Sequence, residues 1–256
     1  MTALDLSREA ALERLPPGDL PVLPSGPFEL AIATWRGRME NEHASSLVFA
    51  GLLGQAVEAG ASAQDQADLA QMILEEQHHA RRCAAMLQAL GGEAVGRLPP
   101  VRPLPRHEDT SRRLAYFRNL LSVCCLSETV AVALIDAERL ALEGAVPGQV
   151  LREILADEVG HARFGWRTLE AAALSVEELA DLDRYLETAL PHLVAHELAH
   201  LSPLPVPTQA LAEAGVCDGA LAREVFWSTV EEVILPSLRR LGLSPNGKFG
   251  SRSGGG

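Results

Sequence analysis

Basic charge is scarce in this chain of 256 residues: 22 Lys and Arg stand against 34 Asp and Glu, a formal net charge of −12. That balance argues against nucleic acid or an anionic membrane as the main partner. Cysteine is scarce too. Cys83, Cys124, Cys125 and Cys217 form no C-x-x-C pair, so zinc-ribbon, rubredoxin-like and thioredoxin-like sites lack their ligands, and reduced thiols are the simplest expectation. The amino terminus, MTALDLSREAALERLPPG, has no apolar block of the signal-peptide kind, and no later window is expected to approach a membrane-spanning length. A soluble, cytoplasmic protein is the expectation. Runs of alternating β-branched residues are almost absent, which leaves little room for sheet.

What is abundant is helix-forming sequence. With 47% apolar residues the chain can fill a sizeable core. Stretches rich in Ala, Leu, Glu and Arg, with a period near 3.5, predict four long helices over residues 28–59, 62–90, 108–143 and 148–173. Gly60, Gly91-Gly92 and Gly144 with Pro147 supply the stops. A fifth helix follows over 176–201, then a Pro-rich break at 202–207 and a last helix over 218–241. Residues 1–27 read as an amino-terminal arm, 28–173 as a four-helix bundle, 174–242 as helices packed on it, and 243–256 as a loose tail.

Connection lengths predict the topology. Short turns make helices one and two, and three and four, antiparallel hairpins. Between the pairs lie residues 91–106, where Pro99, Pro100, Pro103 and Pro105 forbid helix. At roughly 3.1–3.3 Å per residue that segment reaches about 50 Å, enough to return along a whole bundle.

The strongest chemical signal is a polar set on seams that packing would make apolar. Helix one reads Trp35, Met39, Glu42, Ser46, Phe49, Leu53, and helix two reads Leu69, Met72, Glu76, His79, Cys83, Met86. Helix three gives Leu121, Cys124, Glu128, Ala131, Ile135, and helix four gives Leu151, Ile154, Glu158, His161, Gly165. Shifting helix two by one residue selects Glu75 and His78, a solvent face, so periodicity favours Glu76 and His79. Glu-x-x-His thus occurs twice, a spacing that aims both side chains at one point beside the helix. The glutamates also sit at mirrored heights about each turn, so four carboxylates and two imidazoles converge at mid-bundle. Two divalent cations are the natural compensation for such buried charge, and oxygen-rich ligands with one imidazole per metal suit iron or manganese.

These motifs, over residues 28–173, make the chain resemble the ferritin-like di-iron carboxylate superfamily. The resemblance implies an all-α fold, a ferritin-like four-helix bundle with a long crossover between helices two and three plus carboxy-terminal helices. It also implies a di-iron centre, with manganese as the other metal, held by Glu42, Glu76, His79, Glu128, Glu158 and His161. Glu76 and Glu128 are its candidates for bridging or flexible carboxylates, with the bridging pair left open. Asp157, in the D-E-x-x-H pattern, is expected to hold the outer N–H of His79, and Glu75 that of His161, against the alternative of ordinary solvated acids.

Other residues carry weaker readings. His192, His196 and His200 form an i, i+4, i+8 stripe with Glu197 beside it, a geometry that binds a metal or simply faces solvent. His43 and His78 point off the seam. Cys83 and Cys124 are expected beside the metals as small core residues. In ribonucleotide reductase small subunits the radical tyrosine stands where this chain has Cys83, and Tyr116 and Tyr185 are poorly placed, which argues against a tyrosyl radical. Trp35 reads as core packing ahead of electron relay.

Within the superfamily, rubrerythrins carry a four-cysteine electron-transfer site that is missing here, and ferritins typically end soon after the bundle. The leading expectation is an O₂-dependent oxidase or oxygenase acting on a small organic substrate, with electrons from an external reductase. The alternative is an iron-binding ferroxidase or storage protein without an organic substrate. Manganese catalase chemistry is a third choice, and tRNA hydroxylation is disfavoured by the net charge. A homo-oligomer is compatible with the sequence.

Overall fold

The computed structural model describes residues 2–20, 28–98, 102–142, 144–201 and 208–244. The sequence's loose tail from residue 245, the Pro-rich break at 202–207, and Pro99 and Pro100 lie outside the described residues.

The chain is mostly helical. A short strand β1 (Thr2–Asp5) and one-turn α1 (Ser7–Ala10) precede α2 (Phe28–Glu58) and α3 (Ala63–Ala89). After β2 (Val95–Leu98) come α4 (Arg112–Leu120) and α5 (Glu128–Ala141), joined by a π-helical turn over Leu121–Ser127 into one rod. Then follow α6 (Val146–Ala171), α7 (Val176–His200), α8 (Gln209–Glu213) and α9 (Gly219–Thr229). A second π-helical turn, Val230–Ile234, carries α9 into α10 (Leu235–Arg240).

The ends follow from local chemistry. Gly60 and Gly91, at φ +71° and +86°, adopt the left-handed conformation that closes α2 and α3. Ser62, Ser111 and Ser175 accept hydrogen bonds from backbone N–H groups three residues on, and Ser175 with Glu178 completes a capping box. Ser111 explains why the third long helix starts at Arg112 and not at the expected 108: the chain first turns through His107, at φ +45°, before the cap.

Two helical hairpins, α2 with α3 and the α4–α5 rod with α6, pack side by side. The crossover runs beside α2: Glu40 accepts from Arg97 N–H, Leu104 lies against Gly51, and Gln55 and Glu58 bond Pro105 O and Arg106. That is 18 residues of α2, about 27 Å at 1.5 Å per residue. One part was not foreseen. The crossover gains a strand, β2, antiparallel to β1 with Thr2 opposite Leu98, so the arm ties down the segment that returns along the bundle.

The core divides into two apolar halves. One gathers Trp35, Met39, Cys83, Met86, Leu87 and Leu151 under the amino-terminal arm. The other gathers Phe49, Leu52, Leu69, Leu121, Phe164 and side chains of α7 and α9. Close approach of α6 to the π-turn needs Gly165, where an added Cβ would lie 2.5 Å from Cys124 Cβ.

The expectation that no stretch approaches a membrane-spanning length is corrected. The rod Arg112–Ala141 contains an 18-residue window of mean hydropathy 1.9. The physical reason is enclosure: α6, α7 and α9 cover the rod, half of the window is buried, and it carries the buried Glu128.

Candidate metal centre

Between the two apolar halves lies a polar layer. Each long helix of the two hairpins enters it once, at Glu42, at Glu76 and His79, at Glu128, and at Glu158 and His161. Glu76, His79, Glu128, Glu158 and His161 are buried, and Glu42 is half-buried.

The donors fall into two overlapping sets. In Glu42, Glu76, His79 and Glu158, one donor atom from each lies within 4.8 Å of every other, and the same holds for Glu76, Glu128, Glu158 and His161. Among the described residues these are the two groups of this kind. Glu158 sits between the imidazoles, with Oε1 3.2 Å from His79 Nδ1 and Oε2 3.1 Å from His161 Nδ1. Glu42 Oε2 is 3.5 Å from His79 Nδ1, and Glu76 Oε1 is 3.3 Å from His161 Nδ1. The residues common to both sets are therefore Glu76 and Glu158, whereas the sequence reading had Glu76 and Glu128 as bridging candidates. Helical phase is the reason, because the i,i+3 pairing with His161 pulls Glu158 to the centre while Glu128 serves one set only.

Both imidazoles turn Nδ1 inward and Nε2 outward. His79 Nε2 stands 3.1 Å from Asp157 Oδ2, and His161 Nε2 stands 2.9 Å from Glu75 Oε2. Each partner comes from the opposite hairpin, so the carboxylates fix ring orientation and lace α3 to α6. Phe49 packs edge-on against His161 at 5.1 Å and seals that side.

The electrostatics are those of an unfinished site. Burial, followed by the charges of neighbouring glutamates, pushes the Glu76 and Glu128 carboxyls well above the ordinary range. Glu158 is held low in spite of burial, because His161, His79 and Glu128 hydrogen-bond to it. Burial opposes charge on His79, yet the Glu158 and Glu42 carboxylates, accepting from its ring N–H, raise it to about 11, and Glu158 likewise raises His161 to about 9. Glu76 Oε2 is buried with no hydrogen-bond partner. Protons alone thus leave an inward-facing carboxylate oxygen unsatisfied, and buried groups of this kind are rare. A pair of divalent cations fits this donor set: it would neutralise the carboxylates and occupy the orphan oxygen.

The other residues singled out from sequence have plainer places. Trp35 is fully buried, its Nε1 donating to Ala214 O at 2.7 Å, beside Gly215 in the turn after α8. Cys83 and Cys124 are buried next to the polar layer, and burial with the nearby glutamates pushes both thiols up, so they stay protonated. Tyr116 packs in the half of the core away from the arm, and Tyr185 bonds Ser122. His78 faces Glu13 of the arm at 3.8 Å. His43 turns half away from the layer, and Gln77 bonds Ser46 beside it. His192, His196 and His200 line the exposed face of α7.

Sequence reasoning missed the π-helical turn that ends at Ser127, immediately before Glu128. The signal was faint. Over residues 120–126, LLSVCCL, nearly every side chain is apolar, so the register slip leaves no trace in periodicity. It also missed the half-buried pair Arg38–Glu138 and the buried pair Arg118–Asp181.

Compared with known proteins, the chain matches no family model and no curated protein.

Proposed function

We propose that the chain is a ferritin-like non-haem di-iron protein, an O₂-dependent oxidase or oxygenase that acts on a small organic substrate. The observation that carries the reading is the pair of overlapping donor sets sharing Glu76 and Glu158, each with one inward imidazole nitrogen. Such a shared, carboxylate-rich donor set suits two hard or borderline cations held side by side, iron first and manganese second. Two antiparallel hairpins joined by a crossover that returns along the bundle support the ferritin-like assignment.

Glu42, Glu76 and His79 would hold one ion and Glu128, Glu158 and His161 the other, with Glu76 and Glu158 in reach of both. When bound, ferrous ions supply the electrons and open coordination positions that O₂ activation requires. Everything else falls to the protein. Asp157 and Glu75 accept from the outer N–H groups of His79 and His161 and keep the inner nitrogens aimed at the centre. Phe49, Met39 and Cys83 keep water from the layer. Glu76 and Glu128, protonated in the metal-free state, give up protons as cations enter. Helices α7 and α9 lie over the rod, which distinguishes this chain from a bare storage bundle.

The deciding measurement is ferrous iron consumption with O₂ uptake on metal-free protein. Uptake that saturates at about two irons per chain and resumes only on reduction supports the oxidase reading, given two donor sets. Continued uptake with iron mineral retained in solution replaces it with the ferroxidase or storage alternative. Uptake equal in wild type and Glu128→Ala removes the centre altogether.

A further inference from the structure

The second feature rich in metal-ligating groups lies outside the bundle's polar layer, on the last two turns of α7. There the chain reads His196-Glu197-Leu198-Ala199-His200, two imidazoles at i,i+4 with a glutamate after the first. On a helix that spacing places both rings on one face, one turn apart, the arrangement with which helices grip zinc.

The rings are already paired. His196 and His200 have centroids 4.4 Å apart, whereas His192 stands 6.3 Å from His196. His200 Nδ1 lies 2.8 Å from His196 O, so the N–H of that ring donates to the backbone and its Nε2 keeps the lone pair that a metal needs. All three rings are exposed, which leaves room for water to complete a coordination shell. Arg223 donates to Leu198 O and Leu201 O and pins the final turn. The position itself favours a cation, because a helix carries its negative end at the carboxy terminus.

We infer that His196 and His200 form a second metal site, a two-imidazole chelate on the surface of α7 that takes a late first-row divalent ion of the zinc or copper kind. Its chemistry differs from that of the polar layer. Imidazole nitrogens without carboxylates favour zinc, copper and nickel over ferrous iron or manganese, following the Irving–Williams order. Among the described residues no third side chain joins the pair in a tight group, so the site binds and releases its ion through water-filled positions. This inference stands whether or not the polar layer holds iron.

The test is calorimetric titration of the full chain with Zn²⁺ in wild type, His196→Gln, His200→Gln, His192→Gln and Glu128→Ala. The expected result is a class of zinc site, in addition to any zinc taken up by the polar layer, that persists in Glu128→Ala and His192→Gln and weakens at least about tenfold in His196→Gln and in His200→Gln. Changes to outer partners alone cost roughly 10–100-fold, so loss of a ligand costs no less. These side chains are exposed, and unchanged circular dichroism of the variants confirms that folding is intact. An isotherm unaltered by either histidine change overturns the inference. So does loss of the same class in Glu128→Ala, which locates that ion in the polar layer, or a greater loss in His192→Gln than in His200→Gln.

Discussion

Two buried charged clusters in this molecule solve the same problem in different ways. Around Arg118 the chain supplies its own counter-charges: Nε and Nη2 donate to Asp181 at 2.9 and 2.8 Å, and Nη1 donates to both oxygens of Asp109. Every guanidinium direction is used, and the cluster clamps the start of the rod to α7. The polar layer does the reverse. It gathers four glutamates on two imidazoles, adds Asp157 and Glu75 behind them, and still leaves Glu76 Oε2 without a partner. A structural cluster closes on itself, whereas a binding centre keeps a deficit that a ligand fills.

The comparison breaks first under metal loading. An ion that binds only the folded chain stabilises it by about 4 kcal/mol at a thousandfold excess over its dissociation constant. For a chain of this size that raises Tm by about 8–16 °C. Calorimetric scans of metal-free protein with and without Fe²⁺ or Mn²⁺ under anaerobic conditions check it, and Glu128→Ala should lose most of the gain. No shift in wild type would mean that the deficit is met by protons alone.

Removing Arg118 comes next. Arg118→Ala leaves the buried Asp181 with only the exposed Arg184, 3.4 Å away, a cost of about 3 kcal/mol, read as a lower denaturant midpoint with an unchanged slope. Metal affinity should stay the same, because the clamp lies about ten residues, some 15 Å, from Glu128 along the rod. A fall in affinity equal to that in Glu128→Ala would merge two clusters that the structure keeps apart.

How much of this contrast was legible in the sequence depends on periodicity. The polar layer stood out because Glu76, His79, Glu158 and His161 interrupt clean apolar seams, and the counting about Gly60 and Gly144 put the glutamates at one level. The helix stops followed from glycines with known capping behaviour, whereas the Ser111 cap, which starts the third long helix at Arg112, was not read. The Arg118 cluster was silent, since its members come from the rod, the loop before it and α7, and only tertiary packing unites them. Strand β2 was silent for the same reason: Val95–Leu98 becomes a strand only because Thr2–Asp5 pairs with it. The π-turn erased its own signal, and Tyr116 and Asn119, just before it, are buried where α7 covers the rod's outer side.

A finer distinction appears on titrating the metal-free protein. His79 and His161, raised to about 11 and about 9, contribute stability that is complete below the ordinary histidine value of 6.5 and is lost as pH rises through those values. Glu76 and Glu128, raised in the fold, also favour it less as pH climbs above 4.5. Glu158 has the opposite sign, with a contribution present above 4.5 and lost as pH falls below it. Metal-free protein should therefore be most stable in mildly acid solution and weaken from pH 7 to pH 10, as urea midpoints will show. Metal-loaded protein should hold its midpoint across that range, because cations displace the same protons. Equal slopes in the two forms would contradict the deficit argument.

The smallest effect concerns a carboxylate that belongs to the layer without entering it. Asp157 is partly exposed, its Oδ2 3.1 Å from His79 Nε2, so Asp157→Asn preserves shape and removes only a charge. An amide oxygen still accepts the imidazole N–H, but it no longer raises the basicity of Nδ1 on the other side of the ring. Metal affinity should fall roughly 10–100-fold, while stability of the metal-free chain changes by less than about 1 kcal/mol, the scale of an exposed pair. The same change at Asp109, on the exposed side of the Arg118 cluster, should shift stability by a similar small amount and leave metal affinity untouched. Two exposed aspartates, each bonded to a buried cluster, then separate by what they govern: one the affinity of a site for its ligand, the other only the fold.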